Sequence, residues 1–204
     1  PLIFADKKEL KKSFAITYDM IEEEMTEPEF YRLINPLVVD VNCGHTNLLI
    51  SEGLQKNRVG TAKFFPLKIT IVENSLYVVE NEDTIGIKSG DKIKSINGKS
   101  SDEIIKILLE NISGDGDNQA KPRYIISKHF NSRFYDFVDN SEKFHVEYIN
   151  SKGDLKHIDL NGKYVNEYNV NAWELQFVEY QDGNYYESKI MDNFAVLSLH
   201  VFMP

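Results

Sequence analysis

The stretch IKSGDKIKSINGK, residues 87–99, decides the fold. Gly90-Asp91 is typical of a tight turn, and Ile93 and Ile96 are spaced as apolar contacts of one short strand. Asn97-Gly98 is a strong turn signal because both residues tolerate a positive φ. The stretch therefore predicts a strand held between two turns.

An amphipathic helix is predicted directly after this stretch, over 101–112, with Ile104, Ile105, Leu108, Leu109 and Ile112 on one face. Further out, alternating residues predict one strand pair at 67–72 and 76–79 and another at 143–149 and 155–160. Between them we expect a Gly/Asp loop at 113–119 and a helix at 122–138.

The first 60 residues are predicted to begin with two helices. Asp6 followed by Glu9 is typical of a helix start, and apolar residues then recur at helical spacing at Leu10, Phe14, Tyr18, Ile21 and Met25. Thr26 and Glu29 form a capping box for a second helix, in which Pro36 is expected to introduce a kink and which we expect to stop at Gly44. Beyond it, 46–51 is predicted as a strand and 51–60 as a loop.

Composition excludes several function classes. A formal net charge of -9 with no basic stripe disfavours nucleic acid and acidic membrane surfaces as partners. No apolar run reaches the length of a membrane-spanning helix. The single cysteine, Cys43, cannot form an intramolecular disulfide, and its presence leaves the compartment open.

Three segments resemble one known family. Residues 87–99 resemble the Gly-Asp-x-Ile-x-x-Ile-Asn-Gly core of bacterial PDZ domains. DVNCGHT, residues 40–46, resembles the Asp-Gly-His-Thr element of the C-terminal-processing (tail-specific) serine peptidases, and 192–199 resembles the strand that opens their catalytic domain. The order of the three also agrees with that family. Two departures are Cys43, where Asp is usual, and 83–87, where a small apolar segment normally precedes the turn.

The resemblance implies an α+β fold in three parts. These are an N-terminal helical region (1–58), a PDZ-like β-barrel with flanking helices (59–162), and the first strands of a truncated α/β catalytic domain (163–204). Because 194–202 is an apolar run that suits a central strand, we expect the natural protein to continue past Pro204. We also expect that the natural start before Pro1 has been removed, and an export signal there stays open.

The resemblance implies a serine endopeptidase in which His45 is the general base. His45 matches the histidine that tricorn-like and chlamydial secreted relatives carry before the PDZ-like region, and classical members use a lysine instead. Histidine suits the role because its pKa lies near neutrality. The attacking serine is expected outside this chain, so that the 204 residues alone are inactive. The alternative is a structural histidine.

Two other readings of this region are disfavoured. Cys43 and His45 stand at i and i+2, and in an extended segment such side chains point to opposite sides, which argues against a Cys–His nucleophile pair. Asp115 and Asp117 are spaced as in a calcium loop, but the closing Glu is missing. The remaining histidines form no metal pattern, so no metal or other cofactor is predicted.

The PDZ-like resemblance implies a groove between the strand after Phe65-Pro66 and the helix near Asp102. PDZ domains bind peptides there as an added strand and hold the C-terminal carboxylate. The candidate groove residues are Phe64, Phe65, Leu67, Ile105 and Leu109, with ordinary core packing as the alternative. Protein or peptide substrates are the expected partners, oligomeric state is left open, and an extracytoplasmic location is implied. A non-catalytic peptide-binding or scaffolding protein is the alternative function.

Overall fold

The computed structural model describes residues 5–80, 86–165, 186–191 and 194–199. The chain divides into one unit at residues 1–172 and a second at 173–204. The first unit contains helices α1 (Lys7–Asp19), α2 (Glu27–Val39), α3 (Glu52–Thr61), α4 (Ser101–Leu109) and α5 (Ala120–Phe137), and strands β1 (Lys68–Val72), β2 (Ser75–Glu80), β3 (Lys92–Ile96), β4 (Lys99–Ser100), β5 (Lys143–Ile149) and β6 (Leu155–Asn161). None of the helices in the described ranges has the length and apolar content that a membrane span requires.

The strands of the first unit form one antiparallel sheet in the order β1-β2-β3-β5-β6, with β4 paired to β3. Helices and an antiparallel sheet together confirm the α+β class. Both predicted hairpins, the short strand between the two turns and the helix after it are also confirmed. Ser100 and Glu103 form a capping box at the start of that helix.

The deciding stretch folds as its residues predict. Gly90 has φ 88°, and the buried Asp91 carboxylate accepts the Lys88 N–H at 2.8 Å, which closes the turn into β3. Asn97 (φ 48°) and Gly98 (φ 79°) make the turn out of β3. The Asn97 side chain also accepts the His145 N–H at 2.7 Å, so this turn is tied to β5.

The core lies between the sheet and the helices α4 and α5. Phe65, fully buried, packs its ring against Phe130, Phe134 and Phe144 at centroid distances of 5.8, 5.7 and 5.2 Å. The inward residues of the strands complete this core: Ile69, Leu76, Val78, Ile93, Ile96, Val146 and Leu160.

The N-terminal helices differ from prediction in length. α1 ends at Asp19, so Ile21 and Met25 lie outside it, and the rings of Phe14 and Tyr18 stack at 6.3 Å on an exposed surface. The capping box of α2 is confirmed, since the Glu29 carboxylate accepts both the N–H and the hydroxyl of Thr26, at 2.8 and 2.6 Å. Pro36 lies inside α2, which ends at Val39 and not at Gly44.

The predicted strand at 46–51 and loop at 51–60 are wrong. Residues 46–50 form no strand, and 52–61 form α3, which also spans the expected domain boundary at 58/59. Ser51 caps α3 by accepting the Leu54 N–H at 3.1 Å. Residues 52–61 lack the apolar stripe of an amphipathic helix because α3 packs on the fold through a charged side chain. Arg58 is buried and contacts the Asp136 carboxylate of α5 at 2.7 Å.

In the second unit, β7 (Tyr186–Met191) and β8 (Phe194–Leu199) form an antiparallel hairpin. The strand predicted at 192–199 is therefore present from Phe194. The continuation of the apolar run at 200–202 and the predicted strand-and-turn pattern at 166–185 lie outside the described residues.

Replacing Arg58 by Ala is expected to lower the free energy of unfolding by about 3–5 kcal/mol, because Asp136 would remain buried without its partner. The control on the same helix is Lys56→Ala, whose ion pair with Glu52 is exposed and should contribute under about 1 kcal/mol. Urea unfolding of both variants measures the difference. Equal, small losses would show that the buried pair does not anchor α3.

The pH dependence of stability is expected to report on His129, where α5 is kinked (φ -125°, ψ 27°). Partial burial, reinforced by Arg133 and Lys128, lowers the pKa of His129 from 6.5 to about 4. A depressed folded-state pKa means that the unfolded chain binds the proton first. This contribution to stability is therefore full above pH 6.5 and is lost as the pH falls towards 4.

Urea midpoints measured across that pH range test this expectation. His129→Gln should flatten the acid-side loss, whereas the control His157→Gln, at an exposed position of β6, should retain it. An unchanged profile in His129→Gln would assign the loss to other groups.

Candidate functional site

His45 lies in a β-turn that follows α2. The Thr46 N–H donates to the Cys43 carbonyl at 2.9 Å, so 43–46 folds back on itself. The expectation that Cys43 and His45 point to opposite sides assumed an extended segment and is wrong for this reason. The turn leaves His45 exposed and Cys43 half-buried.

The turn is fixed by the loop between α4 and α5. The Gly44 N–H donates to Asp115 Oδ1 at 2.7 Å, and the Gly44 carbonyl accepts from Lys121 Nζ. A Cβ at position 44 would lie 2.9 Å from that Nζ and 3.1 Å from Asp115 Oδ2, so any other residue would push these two side chains away from the turn. The Ser113 hydroxyl adds a bond to the Thr46 carbonyl at 2.8 Å.

Three side chains converge at this turn. Cys43 Sγ, one ring nitrogen of His45 and one carboxylate oxygen of Asp115 all lie within 4.8 Å of one another. Asp115 was not predicted as a partner of His45. Its only signal in the sequence was its place in a Gly/Asp loop, and a contact across 71 positions has no local pattern.

Hydrogen bonds also act on the thiol. The His45 N–H, followed by the Thr46 hydroxyl, lowers the pKa of Cys43 below its usual value. The Asn47 side chain donates to the Gly44 carbonyl at 3.4 Å. The turn thus brings together a thiol inclined to ionise, an accessible imidazole and a carboxylate, a set that suits proton transfer or metal binding.

The five predicted groove residues are found in or against the core. Phe64, Phe65, Leu67 and Ile105 are at most 4% exposed, and Leu109 packs on the core while partly buried. α5 packs against both β1 and α4, the two elements between which the groove is predicted. Their burial agrees with the alternative of ordinary core packing, and peptide binding by these residues stays a prediction.

Side chains of α5 also form hydrogen bonds with the backbone groups at the outer edge of β1. The Ile71 N–H donates to Ser127 Oγ at 3.0 Å, and Asn131 Nδ2 donates to the carbonyls of Phe65 and Leu67, the latter at 3.1 Å. Arg123 donates to the Glu73 carbonyl. Arg123, Ser127 and Asn131 are spaced at i, i+4 and i+8, so one polar face of α5 covers the edge that an added strand would need.

The adjacent face of α5 makes its departure costly. Ile126, Phe130 and Phe134 are at most 1% exposed. Burial of such side chains contributes about 1.5–3 kcal/mol each, so about 5–9 kcal/mol for three, which is comparable with the whole stability of a domain. A peptide strand that displaced α5 from β1 would have to offset this loss of apolar burial.

Asn131→Ala is expected to destabilise the protein by about 1–3 kcal/mol, because two backbone carbonyls lose their donor beside the core. The matched control is Lys128→Ala, an exposed position of the same helix, with a cost under about 0.5 kcal/mol. Thermal unfolding compares the two. A neutral Asn131→Ala would mean that water satisfies the edge as well as α5 does.

Comparison with solved structures finds a shared fold. Mature CPAF in complex with lactacystin matches with a TM-score of 0.53 and 12% identity over 79% of this chain and 32% of that chain. Mature CPAF matches at 0.53 and 11%, and a serine-to-alanine mutant of CPAF at 0.53 and 12%. This chain thus spans about a third of the length of those structures. No protein-family model matches the sequence, and no curated protein matches it.

Proposed function

We propose that this chain is the N-terminal part of a serine endopeptidase similar to the C-terminal-processing peptidases, with His45 as its general base. The observation that carries the proposal is the exposed turn 43–46, which sets an accessible imidazole beside the Asp115 carboxylate. The protease-like fold shared with CPAF supports it. The proposed parts remain 1–58, 59–162 as the PDZ-like module, and 163–204.

The proposed chemistry is acyl transfer. A serine hydroxyl, supplied by the protein beyond these 204 residues, attacks the carbonyl carbon of the scissile peptide while its proton passes to the His45 imidazole. The imidazolium then gives that proton to the leaving amine. The Asp115 carboxylate, which has an oxygen within 4.8 Å of a ring nitrogen of His45, would offset the positive charge that the ring carries during transfer.

Protein substrates follow from this chemistry, and an extracytoplasmic location is part of the proposal. Recognition of substrate C-termini in the predicted groove between β1 and α4 is disfavoured, because α5 hydrogen-bonds to the β1 edge that an added strand would need. The same observation disfavours the alternative of a non-catalytic peptide-binding protein. We propose instead that the module positions the His45 turn, since Asp115 and Lys121 both hold Gly44.

Fluorophosphonate labelling of the full-length gene product tests the proposal. Wild type should label on a serine, and His45→Ala should reduce the labelling rate by about 10²–10⁴, the usual contribution of a general base. His157→Ala, on the exposed surface of β6, is the control and should label as wild type does.

Labelling that is unchanged in His45→Ala would overturn the role of His45 and favour a lysine base. Absence of labelling in wild type would overturn the peptidase itself. Asp115→Asn separates the positioning role. It should slow labelling less than His45→Ala does, because the carboxylate takes no proton itself but accepts the Gly44 N–H and so holds the turn that carries His45.

A further inference from the structure

We propose that Cys43, His45 and Asp115 form a binding site for a divalent transition-metal ion, with zinc as the preferred ion. The proposal goes beyond the peptidase function and does not depend on it, because it rests on the donor set. A thiol sulfur, an imidazole nitrogen and a carboxylate oxygen are the three ligand types that zinc takes from proteins.

The distances suit this ion after a small adjustment. Zinc bonds to these atoms at about 2.0–2.3 Å, so tetrahedral ligands stand about 3.3–3.8 Å apart. The three donors here lie within 4.8 Å of one another, and a closure of about 1 Å would bring them into range. His45 is exposed on a turn, so rotation of its side chain can supply that movement. Three protein ligands leave the fourth position to water.

Two of the ligands are held in place by the backbone. Asp115 Oδ1 accepts the Gly44 N–H at 2.7 Å, which orients the carboxylate and leaves Oδ2 for a metal. The Cys43 carbonyl accepts the Thr46 N–H at 2.9 Å, and this turn sets the thiol on the side of the imidazole. The bond from Gly44 to Asp115 resembles the outer contacts that orient ligands in metal sites.

One nearby group opposes the ion. Lys121 donates to the Gly44 carbonyl, so its ammonium and the Asp115 carboxylate both lie close to Gly44. A positive charge there weakens the attraction for a cation. Substitutions at this site should therefore have opposite effects: removing the Lys121 charge should strengthen metal binding, and removing any ligand should weaken it.

Metal binding would compete with proton transfer. Zinc would bind through the lone pair of the imidazole nitrogen that a general base must offer, and the Cys43 thiol would release its proton to solvent on coordination. A peptidase that uses His45 would accordingly be inhibited by zinc and restored by a chelator. A protein without peptidase activity would still bind the ion.

Titration of the full-length protein with Zn²⁺ under a thiol reductant that does not chelate tests the site, with Co²⁺ as a spectroscopic probe. We expect one equivalent to bind and Co²⁺ to show a thiolate charge-transfer band. Cys43→Ser, His45→Gln and Asp115→Asn should each weaken binding by at least about tenfold, the loss that even an outer partner of a metal ligand produces. Lys121→Gln, which removes the charge but keeps a donor for the Gly44 carbonyl, should tighten it.

The controls are Asp117→Asn, two positions from Asp115, and His157→Ala. The second variant removes one ring of the His145–His157 pair, whose ring centroids lie 5.9 Å apart and whose nitrogens are alternative ligands for the ion. Both should bind as wild type does. Binding that survives all three ligand variants, or that disappears with His157→Ala, would overturn the site.

Inhibition separates this proposal from the peptidase. Zinc that blocks fluorophosphonate labelling in wild type, with relief by chelator and no such block in Cys43→Ser, would support both. Stoichiometric binding without any labelling would support the metal site alone. Labelling without stoichiometric binding would retain the peptidase and overturn the metal site.

Discussion

The buried contact between Arg58 and Asp136 is the interaction on which the arrangement of the first unit depends. It joins α3 to the end of α5, and Arg32 of α2 donates to the Asp136 carbonyl at 2.5 Å beside it. Burial raises the pKa of Asp136, and the guanidinium groups of Arg58 and Arg133 oppose that rise. Such a pair adds little net stability over apolar packing, but a shift of α3 that separated the two groups would leave a buried charge unpaired, which disfavours other docking geometries.

That geometry is what brings the candidate site together. α2 ends just before the turn 43–46, and the turn meets the loop that precedes α5. The His45 side of the site is thus attached to α2, which contacts Asp136 through Arg32. The Asp115 side is attached to α5, which contains Asp136. A shift of the N-terminal helices by one turn would separate His45 from Asp115, although neither residue takes part in the anchoring contact.

Local signals predicted most of this fold, and long-range contacts account for the failures. Asn97-Gly98, the hairpins and the cap at Thr26 were readable because each depends on residues close in sequence. α3 was missed because its docking relies on a charged residue paired across the fold. At the site, family resemblance indicated His45, while the convergence of Cys43 and Asp115 depends on a turn and on a loop far along the chain.

The cover that α5 provides for β1 has a consequence for synthesis. The strand KITIV (68–72) is rich in β-branched residues, and a bare edge of this kind pairs readily with other chains. Ser127, which bonds the Ile71 N–H, lies 56 residues later. At about 5–20 residues per second the ribosome delivers it roughly 3–11 s after the strand. During that interval the nascent chain carries an unguarded edge, and a chaperone that shields it would improve the yield of folded protein.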